Sequence, residues 1–244
     1  MRVLPKIAVI AFTAMCVMLT GCSATYTAIK KRNLDVQTKM SDTVFLDPVK
    51  PSERVVFLQI RNTSDQQDIK IKSQIVAAIE AKGYRVTDDP DKAHYMIQAN
   101  ILQVSKSDKS GSQAALLSGY GSGIVGAAVG ASIAGGGTGR VGTGLIGGLI
   151  GMAADAMVED VYFTMVTDVQ ISERAGQGVK VTEEDNARLH QGTSGSKKIS
   201  STQITHWKRY QTRIISVANK VNLDFNEALP KLQQGLIHSI AGIL

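Results

Sequence analysis

From Gly111 to Gly139 the chain carries no charged residue, and within that stretch Ala114–Ala134 holds only Ala, Leu, Ile, Val, Ser, Gly and one Tyr. Few folds accept such a run. As one helix its 21 residues would measure about 31 Å, the thickness of a bilayer core. Gly135-Gly-Gly-Thr-Gly-Arg140 breaks the run, and Val141–Ala154 is again free of charge. The pattern predicts a membrane helical hairpin over residues 111–158, with its tip at Gly135–Arg140. In water each helical glycine costs up to about 1 kcal/mol relative to alanine. In hydrocarbon an unpaired backbone group costs more, so lipid favours the helix. About two thirds of the 23 glycines lie between Gly111 and Gly151. Gly119/Gly123, Gly126/Gly130, Gly144/Gly148 and Gly147/Gly151 are spaced as small-xxx-small pairs, which predicts helix packing and a homo-oligomer.

The N-terminus supplies an address. Residues 1–21 read as a secretory leader: Arg2 and Lys6 are followed by the apolar run Ile7–Leu19. That run is too short to span a bilayer. It ends in Leu19-Thr20-Gly21-Cys22, a lipobox. Cys22 is therefore the expected lipidation site, carrying diacylglycerol and an amide-linked acyl chain such as palmitate. Three acyl chains anchor a protein firmly where one holds weakly. Ser23 in place of an aspartate directs the chain to the outer membrane rather than the inner one. The expected localisation is lipid-anchored in the outer membrane and partly exposed at the cell surface. Cys16 leaves with the leader, so no disulfide is expected. Loss of Arg2 and Lys6 leaves +4 of the formal +6, enough to favour anionic lipid but too little to argue for nucleic acid.

The rest of the chain divides around the glycine-rich stretch. Residues 22–43 read as a lipid-anchored tether, and 44–110 as the first half of an α/β periplasmic domain. Arg54–Arg61 and Tyr95–Val104 are β-rich; Ile69–Lys82 has helical spacing, closed by Gly83. Residues 159–244 form the second half, with strands over Val161–Ile171 and His206–Val217 and a polar hairpin loop over Gly176–Ser201. Asp224-Phe-Asn-Glu227 opens a C-terminal helix in the manner of a capping box. Leu229, Leu232, Leu236, Ile237, Ile240 and Ile243 form its apolar face, and Pro230 predicts a late start or a kink. The expected fold class is α+β: a small mixed sheet with two flanking helices, interrupted by the membrane hairpin.

Catalytic patterns are missing. Gly121-x-Gly123-x-x-Gly126 and Gly142-x-Gly144-x-x-Gly147 match GxGxxG but follow no strand of a βαβ unit. His94, His190, His206 and His238 lack metal-ligand spacing, and no serine sits in a nucleophile elbow. Glu183-Glu184-Asp185 reads as a solvated charge run, and Trp207-Lys-Arg-Tyr210 as an amphipathic strand. The chain is read as non-enzymatic, without metal or cofactor beyond the lipid on Cys22.

Short segments in order along the mature chain resemble the TraT complement-resistance and surface-exclusion lipoproteins of conjugative plasmids. They are Thr27–Leu34, Val56–Asp65, Ala81–Tyr84, Ile97–Asn100, Gly151–Asp160, Gln191–Gly195, Tyr210–Arg213 and Asn219–Leu223. The resemblance implies an oligomeric outer-membrane lipoprotein that lowers redundant conjugative transfer into plasmid-bearing cells and, in some hosts, killing by complement. It also implies contact with outer-membrane lipid and with donor-cell conjugation structures or porins. Two other readings stay open: a ring-forming secretion or pore lipoprotein, and a cell-envelope enzyme or wall-binding lipoprotein.

Overall fold

The computed structural model describes residues 32–122, 159–176, 178–191 and 195–244, with backbone alone over 185–191 and 195–203. Alternation dominates the chain. In Tyr95–Ser107 every second residue from Tyr95 to Ile101 is buried, and Ile214, Ser216 and Ala218 share one face with the residues opposite them. That period of two lays down a six-stranded mixed sheet. Its strands are β1 (Asp35–Met40), β2 (Val55–Asn62), β3 (Arg85–Thr87), β4 (Tyr95–Ser107), β5 (Asp160–Arg174) and β8 (Trp207–Val221), in the order β1-β8-β5-β4-β2-β3. The pairs β1/β8, β8/β5 and β5/β4 are antiparallel, whereas β4/β2 and β2/β3 are parallel. A bulge at Leu102 shifts the β4/β5 register, as an extra residue in one strand must.

The first face carries the main core. Helix α1 (Lys72–Glu80) buries Ile75 and Ile79; helix α3 (Phe225–Gly242) buries Ala228, Leu232, Leu236, Ile240 and Ala241. They close over Val56, Leu58, Ile97, Ile101, Val169 and Ile214. Each fully buried Ile or Leu contributes about 1.5–3 kcal/mol. Gly83 has φ +84°, as a residue ending α1 in the left-handed region requires. Gly235 lets α3 sit on the sheet, because a Cβ there would overlap the Thr38 hydroxyl and lie 2.9 Å from Ser216 Oγ. The helix starts at Phe225 and runs through Pro230. Asp224 caps it by accepting from the Asn226 N–H at 2.8 Å. Glu227 turns outward to Lys220 at 2.7 Å and completes no reciprocal box.

The second face carries a smaller core. Helix α2 (Lys109–Leu116) begins where Asp108 accepts from the Gly111 N–H at 2.7 Å. It lays Ala115 on Tyr162, Val166, Ile215 and Val217. Beneath it, the Ser107, Ser112 and Thr164 hydroxyls bond one another at 2.7–3.3 Å.

Three expectations are corrected here. Among the described residues the fold is mostly β, with three helices and no membrane hairpin, in place of the expected small sheet with two flanking helices. Residues 111–116 belong to α2 on the sheet, and Leu117–Ser122 is turn rather than the opening of a membrane helix. The Ser118 hydroxyl donates to Ala115 O at 2.7 Å where α2 stops. Among the described residues no helix is long and apolar enough to cross a membrane. Gly119 lies in that turn, outside any described helix. The remaining packing positions Gly123, Gly126, Gly130, Gly144, Gly147, Gly148 and Gly151, and the lipidation site Cys22, lie outside the described residues. Second, residues 35–40, read as tether, are β1, hydrogen-bonded along β8. Third, the polar stretch read as a loop over 176–201 contains a ribbon, β6 (Val181–Gln191) paired antiparallel with β7 (Gly195–Thr205).

Candidate functional site

The glycine-rich insertion leaves and re-enters the sheet at two built footings. The first is on β5 and β8. Register places Asp168 directly opposite Arg213. Arg213, 1% exposed, donates through Nε to Asp168 Oδ1 at 2.5 Å and through Nη2 to Oδ2 at 2.9 Å. Its Nη1 reaches the Ser122 hydroxyl at 2.9 Å, Ser122 O at 3.1 Å and the Ser118 hydroxyl at 3.4 Å. Asp168 Oδ2 accepts in addition from the Gly121 N–H at 3.2 Å. A planar guanidinium suits this: two donors grip the carboxylate and the others hold the chain above it. One buried ion pair therefore fixes the turn from which the insertion departs.

The second footing is at Glu159. Its N–H donates to Asn222 Oδ1 at 2.9 Å, the Asn222 N–H donates to Glu159 O at 2.8 Å, and Lys106 Nζ pairs with Glu159 Oε1 at 2.7 Å. Asn222 takes φ +51°, a conformation asparagine tolerates better than most side chains. β5 carries the first footing at Asp168 and starts beside the second at Asp160, roughly 27 Å apart at 3.4 Å per residue. β1 begins at Asp35 opposite Asn219, itself opposite Tyr162, so the chain enters the sheet at the end that holds Glu159.

A third node pins the segment between β1 and β2. Glu173, 2% exposed, accepts from the Asp47 N–H at 3.1 Å, from Lys208 at 3.4 Å and from the Tyr210 hydroxyl at 3.3 Å. Tyr95 donates to Asp47 O at 2.6 Å. Burial pushes the Tyr95 phenol up to about 12, and the nearby tyrosine and carboxylates add to the shift. Hydrogen bonding and the charge of Lys208 hold Asp47 below the usual carboxylate range. Burial lowers His94, which stacks edge-on against Tyr95 at 4.7 Å.

Tertiary contacts explain several charged side chains read earlier from sequence. Glu183 meets Arg209 in an ion pair instead of standing in a solvated run. Trp207 is covered by the Arg174 guanidinium at 4.5 Å, and Lys208 is paired with Asp47 and Glu173. Among the described residues no three His, Cys, Asp or Glu are grouped to hold a metal ion. Arg213 and Asp168 carry no sequence signal of pairing, because 45 residues separate them and only the β5/β8 register brings them together. A sheet scaffold that grips a glycine-rich insertion at both ends is the class of protein these contacts define.

Comparison with known proteins fixes the family. Residues 33–244 match the family described as Enterobacterial TraT complement resistance protein. A TraT complement resistance protein of Escherichia coli is 51% identical over 243 residues, covering 98% of each chain. Another, from strain K12, is equally similar over the same extent. One from Wigglesworthia glossinidia brevipalpis is 32% identical over 252 residues, covering 98% of this chain and 97% of its own. The chain belongs to the TraT complement resistance protein family. The names of this family and of these relatives speak of resistance to complement and name no reaction.

Proposed function

We propose that the chain is a lipid-anchored outer-membrane protein that protects its host from complement and reduces entry of a plasmid like the one that encodes it. Full-length relatedness to complement resistance proteins carries the reading, since it covers both halves of the sheet and both footings. The lipobox at Leu19–Cys22 supports the anchor. The action is non-enzymatic: the protein occupies the surface, as homo-oligomers, and interferes with a donor structure, a porin or a complement component by binding. The footings support that role, because they hold to the sheet the described residues on either side of the insertion, Ser122 and Glu159.

The test is a mating assay paired with serum exposure. Recipients expressing the intact protein are expected to accept an isogenic plasmid at least tenfold less often than empty recipients, and to survive serum better. Equal transfer overturns the exclusion reading; equal survival overturns the protective one.

A further inference from the structure

α2 covers only the part of the second face near Ser107 and Tyr162. Beyond Tyr120 the four central strands present a row of uncharged amides: Gln59 on β2, Gln98 on β4, Gln170 on β5 and Gln211 on β8, each opposite the next in register. Gln98 Nε2 donates to Gln59 Oε1 at 2.8 Å, Gln170 Nε2 to Gln98 Oε1 at 3.3 Å, and Gln211 Nε2 to Gln170 Oε1 at 3.1 Å. A primary amide has two donors and two acceptor lone pairs. The ladder uses one of each on its inner members, so among the described residues a second donor and a second acceptor stay open at each rung. Asn100, one row along, accepts from the Thr63 hydroxyl at 3.2 Å, and its amino group meets no partner among the described residues. The exposed Arg61 guanidinium forms no ion pair among the described residues. Tyr120, 37% exposed, walls one side. Gln59, Gln98, Gln170, Asn100, Arg61 and Tyr120 line a groove of about 270 Å³, whose wall also holds Asp168, its carboxylate already gripped by Arg213.

We propose that this groove binds a hydroxyl-rich glycan segment bearing one anionic substituent. Vicinal sugar hydroxyls are each donor and acceptor, so an amide with one of each free can meet a hydroxyl pair at two points. The rungs repeat at the inter-strand spacing of about 4.8 Å, which is on the scale of a sugar ring. Tyr120 offers an aromatic surface to the apolar face of a ring, and Arg61 offers a fork to a carboxylate or phosphate. An added peptide strand is disfavoured, because β4, β5 and β8 have partners on both edges and present no free backbone here. An apolar ligand would forfeit the open amide groups, which are costly to bury unpaired.

The full-length protein in detergent micelles is titrated with three probes: deacylated lipopolysaccharide oligosaccharide, a muramic-acid disaccharide from peptidoglycan, and a neutral maltooligosaccharide. Calorimetry is expected to give saturable binding to one of the two anionic glycans, which identifies the source, and weaker binding to the neutral one. Gln98→Leu with Gln170→Leu should weaken binding at least tenfold. Arg61→Gln, at an exposed position, should leave melting and oligomer size unchanged. It should cut the preference for the anionic over the neutral glycan about tenfold, or about 1.4 kcal/mol. No saturable binding to any probe overturns the proposal, as does binding unchanged in both variants. A change of oligomer size in the double glutamine variant without glycan binding to the parent would assign the face to contacts between copies and also overturn it.

Discussion

Asp168→Leu should be among the most damaging single substitutions in the sheet. It leaves the Arg213 guanidinium, 1% exposed, without the carboxylate that takes two of its donors. Breaking a buried pair by removing one partner costs about 3–5 kcal/mol. The Asp168 side chain is 14% exposed and the serine contacts to Arg213 remain, so the lower end, about 3 kcal/mol, applies. For a chain of this size that lowers the melting temperature by about 6–12 °C. Removing both charges at once, Asp168→Leu with Arg213→Met, should recover most of the loss, since a packed apolar pair often replaces a buried ion pair without cost. The two variants then separate stability from positioning. The double variant should melt near the parent yet release Leu117–Ser122, read as faster amide exchange in that turn than in β5. Urea and thermal unfolding in detergent, with exchange followed by mass spectrometry, measure both. An Asp168→Leu protein within about 1 kcal/mol of the parent would refute the clamp. So would a double variant that melts as low as the single one.

Gly235→Ala should destabilise by about 1–3 kcal/mol through overpacking against Thr38 and Ser216, and Thr38→Ala in the same chain should recover part of that in a thermal melt. Burial, aided by the neighbouring carboxylates, raises both Tyr95 and Tyr162 to about 12. Because these folded values exceed the ordinary value of about 10, their contribution is complete below about pH 10 and lost as pH rises through about 12. Tyrosinate absorbance should therefore show a late phase, coincident with unfolding, that Tyr95→Phe and Tyr162→Phe each diminish. Cys22→Ala should abolish acylation and leave precursor outside the outer membrane; normal outer-membrane fractionation of that variant would refute the lipobox assignment.

The readable parts of the fold were those whose periodicity reports their own burial. Val56, Leu58, Ile97, Ala99 and Ile101 alternate because one face of their strands is in the core, so β2 and β4 stand out in the sequence. Ile75 and Ile79 on α1, and Leu232, Leu236 and Ile240 on α3, repeat at helical spacing for the same reason. Asp224 and Gly83 mark helix ends through chemistry local to the chain. Family membership was legible too, in short segments from Thr27 to Leu223.

What the sequence could not supply depends on neighbours distant along the chain. β1 is an edge strand whose outward residues face solvent, so Asp35–Met40 has little apolar signal and reads as tether until β8 pairs with it. β6 and β7 are polar and make their ladder with each other, so composition alone favours a loop. The lack of charge after Gly111 is compatible with lipid and with a small protein core alike. Ala115 chose the second, because Tyr162, Val166, Ile215 and Val217 offered α2 an apolar surface on the sheet. Only strand register opposes Asp168 to Arg213 and aligns four glutamines across the sheet, because that register is set by the burial of the other face.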